Sequence, residues 1–140
     1  MTTRILIMGL PGAGKTTLAE ALRTAIWEEG RTCSWINADH VRKHFNDWDF
    51  SHEGRIRQSW RMYDLSQEAN TDYCIVDFVA PLVEMRDNFK PDITIWVDTI
   101  KTSRFPDTDA IFVVPEKYDF HVTEQNAEKW AEIISKQITR

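Results

Sequence analysis

Eight residues carry the most chemistry in this chain: Gly9-Leu-Pro-Gly12-Ala13-Gly14-Lys15-Thr16, which fit the spacing G-x-x-x-x-G-K-[ST] without a mismatch. Glycines at these positions let the backbone turn its N–H groups around a phosphate, in conformations that a β-carbon disfavours. Lys15 then sets a point charge against the outer phosphates, and the Thr16 hydroxyl is of the type that ligates Mg²⁺. The start of the next helix, with Thr17 behind Thr16, adds its positive dipole end. The predicted ligands are therefore ATP and Mg²⁺, with Gly9, Gly12, Ala13, Gly14, Lys15, Thr16 and Thr17 as the nucleotide-binding set.

The phosphoryl group needs an acceptor. A guanine-selecting Asn-Lys-x-Asp segment is absent, which argues against a GTPase, and 140 residues leave no room for the coupling elements of a large ATPase motor. A small-molecule kinase needs a carboxylate to take the acceptor's hydroxyl proton and basic groups to hold an anionic substrate. Asn37-Ala-Asp39-His40-Val41-Arg42 supplies both, with Asp39 and Arg42 one helical turn apart; as the competing reading, Asp39 caps a helix and Arg42 lies on a solvated face. Asp77, at the end of an apolar run, is either a second metal-side ligand or a helix-capping or structural carboxylate. The i, i+4 pair His40 and His44 has no third ligand in view and is expected at the surface.

These groups need a scaffold that gathers them. Arg4 to Met8 is a continuous apolar run ending in glycine, as expected of a strand covered on both faces. Leu18, Ala19, Leu22, Ala25 and Ile26 mark one face of a helix ending near Gly30. Further strands are predicted at 32–37, 73–79, 93–97 and 118–122, with helices at 53–69 and from Ala127 to Ile138 and partly helical sequence at 39–46; 99–118 reads mainly as loop. Strands alternating with helices imply a three-layer α/β fold with a mainly parallel five-stranded sheet, whose strand ends would turn Asp39 toward the phosphate loop.

Composition bounds the rest. The length predicts one domain over residues 1–140. With 17 basic against 22 acidic side chains the net charge is −5, which disfavours nucleic acid or an anionic membrane held by bulk electrostatics. Cys33 and Cys74 have no motif partner and read as free buried thiols of a reducing compartment; with no apolar run of membrane-spanning length, a cytoplasmic protein is expected. The six tryptophans are expected in core or cleft, and any left exposed would mark contact between two copies in a homodimer.

In order along the chain, Gly9 to Ala19, Asp39-His-Val-Arg42, Phe50-Ser51 with Arg55, Ile75 to Pro81 with Arg86, and Trp96-Val97-Asp98-Thr99 resemble the landmarks of adenylylsulfate kinases, over residues 4 to about 99. The resemblance implies a P-loop kinase fold and transfer of the ATP γ-phosphoryl group to the 3′-hydroxyl of adenylyl sulfate, a small-molecule nucleotide substrate. It implies that Asp39 lies near the acceptor hydroxyl, that Arg42 and Arg55 hold the phosphosulfate, and that Phe50 stacks on adenine. Gln58 falls where the family usually has Asn, and Phe78 in the substrate-side block; Lys15, Arg42 and Arg55, with Arg86 and Arg104 as further candidates, are expected to gather at one cleft of an otherwise negative protein. The departures are Asp77 for a usual Ser, Leu82 for Phe, Val83 for Arg, and a lid cut down to Lys101-Thr-Ser-Arg104-Phe105-Pro-Asp107. In that short lid, Arg104 is the residue for the transferring phosphate, with a solvated loop position as the equal alternative, and Phe105 is the one for the second face of the adenine. The altered block keeps two other readings open: a kinase for a nucleoside, nucleotide or 5′-hydroxyl polynucleotide, and a catalytically silent nucleotide-binding module.

Overall fold

Alternate residues of the first strand face opposite ways, and both sets are fully buried: Ile5 and Ile7 on one side, Leu6 and Met8 on the other. Such a strand must sit in the middle of a covered sheet. In the computed structural model, which describes residues 1–140, it does. The sheet has five strands, β1 (Thr3–Met8), β2 (Cys33–Asn37), β3 (Tyr73–Asp77), β4 (Ile93–Val97) and β5 (Phe120–Val122), in the order β2-β3-β1-β4-β5 and all parallel.

Helices α1 (Lys15–Glu28) and α6 (Ala127–Ile138) cover one face, burying Leu18, Leu22, Ile26 and Ile134 against Ile5, Ile7, Ile75 and Ile95. Over the other face, α2 (Ala38–Phe45), α3 (His52–Gln67) and α4 (Val83–Phe89) bury Val41, Met62, Met85 and Phe89 against Leu6, Met8 and Val76. The three-layer reading holds, with the sheet wholly parallel. The chain passes from β1 outward to β2, returns to β3 beside β1, then crosses to β4 on the other side. That reversal opens a crevice at the carboxyl ends of the strands.

Two helices differ from the sequence reading. α4 has only Met85 and Phe89 as an apolar i, i+4 pair, too short a stretch for periodicity to show. α5 (Pro106–Ile111) lies within the segment read as loop; proline at its first turn and Asp107 and Asp109 beside it are start signals that the Ser/Pro/Asp/Thr composition masks. Both thiols are buried and free, as expected, and burial pushes Cys33 up to about 12. No helix is long and apolar enough to cross a membrane. Of the tryptophans, Trp27, Trp48 and Trp60 are exposed; Trp27 and Trp60 belong to helices on opposite layers, so they share no single patch.

Candidate active site

The turn leaving β1 needs glycine at its first position. Gly9 has φ 152°, and a β-carbon there would run into the Val97 carbonyl oxygen of the neighbouring strand. Gly14, at φ 103°, is the left-handed residue that opens α1. Between them, Ala13 is packed in the core; its N–H donates to the Leu10 carbonyl (3.1 Å), and its carbonyl accepts from the Thr99 hydroxyl (2.6 Å). The Lys15 ammonium is buried and donates to the Leu10 carbonyl at 2.9 Å. Burial lowers its pKa to about 8, against the opposing pull of Asp77 and Asp39.

Asp77 ends β3 as a buried carboxylate that caps no helix. Trp35 Nε1 donates to its Oδ2 at 2.5 Å, and Asn37 Nδ2 donates to Oδ1 at 3.0 Å. Burial still raises its pKa, with those donors and the Lys15 charge acting the other way. Asn37 Nδ2 also reaches the Thr16 hydroxyl at 3.2 Å. Thr16 and Asp77 are thus tied through one amide. Hard oxygen donors of this kind suit Mg²⁺, which needs only one or two protein oxygens beside phosphate and water. The lack of any group of three or more His, Cys, Asp or Glu side chains is compatible with that mode.

On the other side of the crevice, Asn37 caps α2 by accepting the His40 N–H at 3.1 Å, so Asp39 is an exposed first-turn residue and not the cap. Arg42 is buried, contrary to a solvated face; its Nη1 donates to the carbonyls of Asp47 (3.0 Å) and Asp49 (3.1 Å), and its guanidinium lies 4.2 Å from the Phe50 ring centre. Arg55 donates from Nε to the Phe50 carbonyl (2.8 Å) and from Nη2 to the Thr108 hydroxyl (3.1 Å). The segment between α2 and α3 is fastened by Asp47 to Arg57 and Arg61, and by Asp49 to Arg57. Gln58 is buried; its Nε2 donates to the Ala38 carbonyl at 3.1 Å, while its Oε1 has no partner.

A cleft of about 880 Å³ joins the two sides. Of the residues singled out from sequence, Gly12, Gly14, Lys15, Thr16, Thr17, Asp39, Arg42, Phe50, Arg55, Gln58, Asp77, Phe78, Arg104 and Phe105 all line it, while Gly9 and Ala13 do not. Arg104 and Phe105 are exposed, with the guanidinium 5.1 Å from the adjacent ring centre. Arg86 is a correction: it stays out of the cleft and donates to the carbonyls of Ala80 (2.8 Å), Pro81 (3.2 Å) and Val113 (2.5 Å), holding the turn where Ala80 takes φ 47°. Asn37, Trp48 and Thr108 also line the cleft and were not anticipated. Only Asn37 had a signal, as the cap-type residue before a helical segment.

Sheet order, phosphate loop and cleft together define a P-loop kinase fold. Matched solved structures agree: the Mycobacterium tuberculosis APS kinase CysC in complex with AMPPNP and APS superposes with a TM-score of 0.85 at 18% identity, covering 99% of this chain and 98% of that one. Shikimate kinase from Aquifex aeolicus gives 0.69 at 17% identity, covering 98% and 96%. A sequence model of the adenylylsulphate kinase family matches residues 1–111, and the chain belongs to that family. Among curated relatives, adenylyl-sulfate kinase 1, chloroplastic, of Arabidopsis thaliana is 34% identical over 87 residues, and the bifunctional enzyme CysN/CysC of Rhodopirellula baltica 29% over 85. Each match covers 59% of this chain but only 31% and 13% of those longer proteins.

Proposed function

We propose that residues 1–140 act as one kinase domain that transfers the γ-phosphoryl group of ATP to the 3′-hydroxyl of adenylyl sulfate. One observation carries this reading: a single cleft is lined by Lys15, Thr16 and Asp77, by Asp39 near enough to act on the Lys15 and Asp77 charges, and by Arg42 and Arg55. Family membership and the fold shared with a kinase bound to AMPPNP and APS support it.

In this reading the loop's N–H groups and Lys15 bind the ATP phosphates, and the ammonium leaves the Leu10 carbonyl to follow the charge that builds on the β- and γ-oxygens. Thr16 and Asp77 would hold Mg²⁺, which supplies charge neutralisation at the same oxygens. Asp39 accepts the proton of the 3′-hydroxyl as the oxygen attacks. Arg42 Nε and Nη2 and Arg55 Nη1, which make no bond within the protein, face the phosphosulfate. Phe50 already carries Arg42 over its ring, so adenine would use what remains of its surface, with Phe78, Gln58 and Phe105 completing the pocket and Arg104 reaching the transferring phosphate. Most of the rate would come from position and electrostatics. The two free thiols fit a reducing compartment, with the cytoplasm as the proposed location.

The test is ATP turnover with adenylyl sulfate, nucleosides, nucleotides and 5′-hydroxyl oligonucleotides compared in parallel. Stimulation by adenylyl sulfate alone supports the reading. Stimulation by another acceptor transfers the assignment to that substrate, and tight nucleotide binding with no turnover marks a silent binding module.

A further inference from the structure

Asn37 occupies the junction between the two ends of the cleft, and its carboxamide is used on both sides. It is the last residue of β2, in register with Asp77 at the end of β3, so the two side chains leave the sheet side by side on one face. Nδ2 donates to Asp77 Oδ1 (3.0 Å) and Oδ2 (3.2 Å) and to the Thr16 hydroxyl (3.2 Å). Oδ1 accepts the His40 N–H that opens α2, at 3.1 Å. The amide can face only one way. A carboxylate requires a donor opposite it, and a helix N–H requires an acceptor.

We propose that Asn37 is a positioning residue that links the metal-side pair, Thr16 and Asp77, to the helix start that carries the acceptor-side Asp39. Asp77 is buried, so its oxygens depend on protein donors; Trp35 serves one of them, and Asn37 alone extends the bond onward to the phosphate loop. On the other side, the cap, two residues before Asp39, fixes where α2 begins, and Gln58 pins the same junction from α3 through the Ala38 carbonyl. Aspartate at 37 would keep the cap but set a second carboxylate against Asp77. Serine would keep the cap and lose the reach. The proposal rests on the phosphotransfer reading above and concerns how its two ends are held in register.

The experiment uses the full chain with Asn37→Ser, Asp77→Asn and the double variant. Serine still accepts the His40 N–H, so helix capping is retained and the loss isolates the bridge. Asn37→Ser is expected to lower kcat about 10- to 100-fold, with KM for ATP changed less than about threefold. On an Asp77→Asn background the same change should cost less than about threefold, because the residue acts through Asp77. Two losses that multiply in the double variant would overturn the proposal. A second readout is free of turnover: AMPPNP affinity by calorimetry, with EDTA and with Mg²⁺. Asn37→Ser should match the wild type in EDTA and lose about tenfold of the gain that Mg²⁺ brings. Equal Mg²⁺ gains in the two proteins, or no gain in the wild type, would overturn the proposal. A wild type that transfers no phosphate would remove the functional reading instead, and the calorimetry would then decide the role of Asn37 by itself.

Discussion

At the phosphate end of the cleft the sheet itself holds the working groups: Lys15 and Thr16 follow β1 through one tight turn, and Asp77 is the last residue of β3, both strands being buried in the core. At the acceptor end the charged groups come from helices α2 and α3, outside the sheet, while the aromatic rings come from the segments beside those helices, and their order comes from side chains bonded to carbonyls. Arg42 holds two carbonyls of the 46–51 segment, Arg55 holds Phe50 and Thr108 of α5, and Phe50, Trp48 and Phe105 are about half exposed. The phosphate end is therefore set before any ligand arrives, whereas the acceptor end keeps rings and guanidinium nitrogens free to settle on one. In the proposed function, phosphate handling falls to the rigid half and substrate choice to the adjustable half.

That contrast can be broken by substitution. Lys15→Ala should cut kcat about 1,000-fold or more with the melting temperature nearly unchanged, since a positioned cation is lost from a site that the backbone still shapes; near wild-type turnover would remove the phosphate end from the chemistry. Asp39→Asn should cost about 100-fold in kcat with KM for ATP little altered, measured by steady-state kinetics on both substrates. Thr108→Val should act more weakly and only on the acceptor side: Arg55 loses its α5 partner, and KM for adenylyl sulfate should change about threefold while kcat stays within a factor of two.

Arg86 sharpens the contrast from the other direction. Its three carbonyl partners make it a tie of the turn after β3, so Arg86→Met should lose about 3 kcal/mol of stability, roughly 10 °C in melting temperature, with activity at low temperature retained. A raised KM with unchanged melting would return it to the cleft. The smallest effect is expected at the thiols. Burial pushes Cys33 up to about 12 and shifts Cys74 in the same direction. At pH 8 both therefore stay protonated and inert, and a thiol reagent should label neither in the folded protein and both after unfolding.

The same division governs what could be read from sequence. β1, the phosphate loop and α1 were legible because buried strands and glycine turns leave strong patterns, and Asp77 was visible at the end of an apolar run. The acceptor end was legible only as a set of residue types. An arginine in sequence looks the same whether it meets an anion or a carbonyl, so neither Arg86's place outside the cleft nor Arg42's burial is legible there. Short helices such as α4 and α5 bury too few residues to show a period. Asn37 shows in sequence only as a cap-type residue, because the partners of its amide N–H groups, Thr16 and Asp77, lie far along the chain and only the parallel register brings them beside it.

In the proposed reaction one cleft carries phosphate from ATP at its rigid end to a hydroxyl at its adjustable end. The most direct measurement follows the label of γ-³²P-ATP in the presence of adenylyl sulfate and of its 3′-deoxy analogue. Label should appear on adenylyl sulfate and not on the analogue. Release of inorganic phosphate at the same rate with either compound, or with none, would contradict the account.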